Sequence, residues 1–122
     1  MIECVLTQSK FKPYSPDATA EMLGMDRDSV VSIANEYLSC IDEDLDELQR
    51  AIQENDYERI AFASHKIKGV AANLGMEHVS SMASHINTHA KKTIKIDYNL
   101  YYTTLERVIK ITNKQLQTKS RN

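Results

Sequence analysis

The chain has 122 residues, with 15 Lys and Arg against 17 Asp and Glu and a formal net charge of −2, which gives no electrostatic case for nucleic acid or an anionic membrane as partner. A hydrophobic share of 42% with 3 Gly and 2 Pro excludes a disordered or fibrous chain and suits one domain with a sizeable core. Cys4 and Cys40 have no close-spaced partners, so neither a zinc framework nor a disulfide scaffold is indicated, and free thiols fit a reducing compartment. No apolar run approaches the roughly 20 residues of a membrane span, and no signal peptide is visible. A cytoplasmic chain without direct membrane contact is expected.

In chain order, residues 1–14 show no clear period and read as an arm or linker. Ser15 offers a helix cap, Pro16 suits the first helical position, Asp17 the first turn, and Gly24 the stop. Asp26 or Asp28 can cap the next helix, in which Val30, Ala34, Tyr37, Leu38, Ile41, Leu45, Leu48 and Ile52 form one apolar stripe. Asn55 and Asp56 break it, and Asp56 caps a third helix that Gly75 ends. A fourth carries Val79, Met82, Ala83, Ile86 and Ala90, and loosens at Lys91–Lys92–Thr93. Asp97 opens a fifth with Tyr98, Tyr101, Leu105, Val108, Thr112 and Leu116 on one side. No strand alternation persists. Short connections make neighbours antiparallel, so the expected fold is all-α: an antiparallel up-down four-helix bundle with a short extra N-terminal helix, over residues 15–118, with a flexible tail at 119–122.

The third helix is unusual. At about 100° per residue, Ala63, Ile67 and Leu74 lie opposite His65, flanked by Ile60 and Val70 with Ala71 further round, and form the expected core stripe. Around His65, within about 40°, lie Ala61, Gly69 and Ala72; Lys68 and Phe62 stand about 60° to either side. A helix surface normally fills such positions with long polar side chains. Mid-helix Gly costs about 1 kcal/mol relative to Ala, and Gly69 faces away from the core stripe, where close helix packing is not the obvious reason. A small neighbour, a cation and an exposed imidazole together suggest a phosphoryl group carried on the ring nitrogen. A lone helical His is more often an ordinary surface or core residue; here the ring of small neighbours, together with the motif that begins at His65, reverses that.

The run "HKIKGVAANLG" resembles the motif of histidine-containing phosphotransfer (HPt) domains, with His65, Ile67, Lys68, Gly69, Ala71 and Gly75 at its fixed positions. The flanks "AIQENDYERIAFASH", "MLGMDRDSVVSIANEYL" and "GMEHVSSMASHI" are similar to the family's preceding and following segments, so that roughly residues 19–90 fit. One departure is the turn, where Asn55–Asp56 replaces the usual Gly-Asp; Asn tolerates the same left-handed conformation.

The resemblance implies a phosphoryl carrier of two-component signal transduction. His65 would accept and donate the group in a multistep His-Asp phosphorelay with response-regulator receiver domains, often as the C-terminal module of a hybrid sensor histidine kinase. The parent kinase would be the enzyme, and the domain its cytoplasmic part. A phosphoacceptor domain of a chemotaxis-type kinase is a variant of this reading. HPt domains bind no ATP, and the sequence agrees in lacking a Walker loop, a glycine-rich fingerprint and a kinase signature. No cofactor of its own is expected; Mg²⁺ would come from the receiver. Lys68 would offset phosphoryl charge and Gly69 would give steric access. Phe62, Ala61 and Ala72 would dock the acidic receiver site, bordered by a basic rim of Arg59, Lys66 and Lys68, with Tyr37 to Ile41 of the second helix contributing. The isolated domain is expected to be a monomer.

A second reading is a non-catalytic helical interaction module that binds metal through the stripe His78, His85 and His89. No Cys or acidic ligand completes that site nearby in sequence. Asp42, Asp44 and Asp46 imitate a calcium loop, but Glu47 stands where the loop needs Gly and Gln53 where it needs Glu, so they read as a solvated face.

Overall fold

The computed structural model describes residues 15–120; the arm expected at 1–14 and residues 121–122 lie outside them. Five helices occupy the described residues, and no strand does: α1 (Pro16–Leu23), α2 (Arg27–Gln53), α3 (Tyr57–Asn73), α4 (Glu77–Lys91) and α5 (Tyr98–Ser120). None is long and apolar enough to cross a membrane.

The helix ends follow from local chemistry. Ser15 Oγ accepts from the Ala18 N–H at 3.2 Å, and Pro16 opens α1. Asp26, rather than Asp28, caps α2 by accepting from the Ser29 N–H at 2.8 Å. Asp56 does the same for α3 through Arg59 N–H at 3.2 Å, after a turn made by Asn55 at φ 53°. Asp97 Oδ1 accepts from the Leu100 N–H at 3.1 Å at the head of α5. Only α4 begins without a side-chain cap, at the buried Met76.

Helices α2 to α5 close a four-membered ring of neighbours, α2–α3–α4–α5 and back to α2, while α1 packs chiefly on α2. The sense is antiparallel: Ser80 of α4 reaches Lys68 of α3, and Asn87, further along α4, reaches back to Ala61. Inside the ring lie Ile41, Leu48, Ile67, Met82, Ile86 and Leu105, almost wholly removed from water. Burying each such side chain contributes about 1.5–3 kcal/mol, which is how four modest amphipathic stripes hold together without a disulfide.

The buried sector of α3 is rotated from the one expected. Val70, expected at the flank of the stripe, is 38% exposed, whereas Ala71 at its other edge is fully buried as expected and Ser64 beyond it is fully buried too. Helix α3 packs more closely on α4 than on α2, and the small side chains of Ser64, Ala71, Ala83 and Ala90 allow that approach. The core therefore shifts toward α4 and leaves Val70 at the surface. Ser64 meets its burial by donating to the Ile60 carbonyl at 2.7 Å.

Candidate functional site

His65 stands near the middle of α3 and is exposed. Gly69, one turn on, is also exposed, and a Cβ placed there would meet nothing within 4 Å. The glycine is therefore no helix-packing contact. Its effect is to keep a patch of helix surface bare beside the imidazole. Ala72 extends the bare strip and Ala61 lies half-buried at its other end. Phe62, 64% exposed, is the large apolar side chain on this face.

Lys68 is half-buried and makes no ion pair among the described residues. It lines a groove of about 670 Å³ between α3 and α4, together with Ser80, Ser84, His85 and His89. The other two cations of the expected rim are engaged elsewhere. Arg59 pairs with Glu54. Lys66 lies 3.3 Å from Asp44 and 3.5 Å from Glu47, with its ammonium 5.3 Å from the Phe62 ring centroid. The hydrogen bond to Asp44 raises the Lys66 pKa, aided by the charges of both carboxylates. Asp44, read as part of a solvated acidic face, and Glu47 thus offset the charge of Lys66. Of the expected basic border, Lys68 is the cation without an ion pair among the described residues, because Asp44 and Glu47 of α2 reach Lys66 and Glu54 reaches Arg59.

The α2 segment also differs from expectation. Leu38 and Ile41 are buried in the core and unavailable for docking. Tyr37 is half-buried and its hydroxyl donates to the Ile67 carbonyl at 3.4 Å. Burial, and secondarily the Asp44 charge, push its phenol pKa well above the usual value. Cys40 is an exposed free thiol, and Cys4 lies outside the described residues.

A set of residues not singled out from the sequence holds α3 in place by its main chain. Asn87 donates its Nδ2 to the Ala61 carbonyl at 2.8 Å, Ser80 donates to the Lys68 carbonyl at 3.3 Å, and Thr19 of α1 donates to the Leu74 carbonyl at 3.0 Å. With Tyr37, these donors come from three different helices. Ala61 is the residue whose carbonyl lies four before His65, so the Asn87 bond steadies the turn that carries the imidazole. A sequence signal existed: Asn87 is a polar residue inside the apolar run of α4, and it is only 5% exposed.

The histidine stripe of α4 has a local role. His89 Nδ1 lies 2.6 Å from the His85 carbonyl, one turn earlier, and the His89 ring tilts against Tyr101 with centroids 6.0 Å apart. Partial burial, and then the neighbouring His89, lower the pKa of His85. Among the described residues no three His, Cys, Asp or Glu side chains gather so as to hold a metal ion. His78, His85 and His89 do not form the metal set of the second reading.

A family model described as "Hpt domain" matches residues 32–100. That span exceeds half of the chain and contains all of α3 and α4. Comparison with curated proteins and with solved structures returned no match.

Proposed function

The chain belongs to the HPt domain family, whose members carry phosphoryl groups on histidine in two-component phosphorelays, and on that premise we propose that His65 is its phosphoryl acceptor. The observation that carries the assignment is the bare, exposed helix surface at His65 and Gly69. A neutral, exposed imidazole is nucleophilic at pH 7. Its free ring nitrogen attacks the phosphorus of a receiver's aspartyl phosphate in line, the new P–N bond forms as the P–O bond breaks, and the carboxylate leaves. Return of the group to another receiver reverses these steps.

Lys68 offsets charge that spreads over the phosphoryl oxygens, and Gly69 admits them without a clash. Phe62, Ala61 and Ala72 supply the apolar surface against which the receiver seats, with Arg59 and Lys66 at its border. Mg²⁺ would be brought by the receiver. The setting is the cytoplasm, as part of a sensor kinase or as a separate carrier.

The test is transfer from a phosphorylated receiver. The chain should acquire label that is acid-labile and base-stable. His65→Gln should abolish it, and label persisting in that variant overturns the assignment. Lys68→Ala should slow transfer about tenfold, equivalent to about 1.4 kcal/mol of transition-state stabilisation.

A further inference from the structure

Helix α1 is attached to the end of the His65 helix by one closely fitted contact. Thr19, 3% exposed, donates its hydroxyl to the Leu74 carbonyl at 3.0 Å. Gly75 follows at φ 74°, a conformation natural to glycine, and a Cβ there would overlap the Thr19 hydroxyl. The motif glycine thus has two jobs: it ends α3, and it leaves the space in which Thr19 sits. The contact sets one wall of a cleft of about 440 Å³, with Ala18, Thr19 and Met22 of α1 on one side and Ala72, Gly75 and His78 on the other.

That cleft lies within reach of any partner seated on His65. Ala72 is seven residues further along the same face of α3, about 10 Å at 1.5 Å per residue. A standard protein interface covers about 800 Å² per partner, a disc of roughly 16 Å radius. Met22, 61% exposed, stands across the cleft from Ala72. A residue so exposed adds little to the core, and across the cleft it extends the exposed surface at Ala72.

We propose that the Thr19–Leu74 contact, seated in the space left by Gly75, is a latch that fixes α1 so that Met22 forms part of the receiver-docking surface. Thr19 is then a positioning residue for the partner. The proposal rests on the phosphorelay reading above and adds to it a determinant of affinity remote from the reacting nitrogen.

The test uses the full chain, a receiver domain that phosphorylates it, and phosphoramidate as a small donor that needs no docking. Phosphoramidate gives its phosphoryl group to the imidazole and releases ammonia. Thr19→Val keeps the shape and removes the hydroxyl. It should raise the KM for the receiver about three- to tenfold, leaving the rate at saturating receiver and the labelling by phosphoramidate unchanged. Thr19→Ser, which keeps the donor, should restore the wild-type KM. Met22→Ala, which leaves the latch intact, should raise the KM similarly. Unchanged KM in Thr19→Val or in Met22→Ala overturns the latch. Equal loss with receiver and phosphoramidate also overturns it, since that pattern means general damage to the fold. Failure of the underlying reading would look different: His65→Gln would keep its label while the Thr19 variants behaved in any manner.

Discussion

Along α3, Ile60, Ala63, Ile67 and Ala71 turn inward and are nearly dry, while His65, Gly69 and Ala72 turn outward and are wet. The inner face is governed by volume, since each side chain fills space that its neighbours cannot. The outer face is governed by the lack of volume. Its small residues do nothing for the core, and Gly69 weakens the helix that displays it. One helix therefore carries two sets of constraints: the inner set serves packing, and under the proposed function the outer set leaves room for a group and a partner. The donors from α1, α2 and α4 that grip α3 by its carbonyls offset the weakness of a helix interrupted by glycine.

Substitutions on the two faces should part company. Ile67→Ala, on the dry face, should cost about 2–5 kcal/mol from lost burial and an unfilled cavity, read as a large fall in Tm. Transfer measured per folded molecule should survive. Loss of transfer with an unchanged Tm would erase the distinction between the faces.

Gly69→Ala should do the reverse. With nothing within 4 Å of the new Cβ, the helix gains up to about 1 kcal/mol, raising Tm by about 3–6 °C, while transfer from the receiver slows. A faster or unaltered transfer would deny Gly69 a steric role.

The smallest effect lies beside both faces, at His85. Its folded pKa is lowered below the ordinary 6.5 by burial and by His89, so the unfolded chain binds the proton more readily. Stability from this group is present above pH 6.5 and is lost as pH falls through the lowered value. Lys68, Glu77 and His89 share its groove, and much of the ring is solvated, so screening keeps the effect small. His85→Gln should flatten the acid side of the Tm–pH curve by about 1–2 °C. A steeper acid limb in that variant would refute the assignment.

Much of this was legible in the residues themselves. Caps at Ser15, Asp56 and Asp97 and the glycines at 24 and 75 are local devices, read from neighbours in the chain. The apolar period of α2 carried its buried face almost position by position. His65 and its small neighbours were also legible, because a helix places residues three and four apart on one side whatever surrounds it.

Other features required the packed bundle. Lys66 and Arg59 looked like free cations until α2 and the turn before α3 brought Asp44, Glu47 and Glu54 to them. Val70 looked buried until the small residues of α4 drew the core to the other side of α3.

The chain's order of residues determined that there would be five helices, where the capped ones begin to within a few residues, and which imidazole stands among small neighbours. It could do so because caps and helical periodicity act over a few residues. The tertiary structure alone decided that Asp44 and Glu47 neutralise Lys66, how far α3 is turned, and that Thr19 nests against Gly75 across 56 positions of sequence. Those outcomes depend on the distance and rotation between helices, set by the summed packing of many side chains rather than by any short stretch.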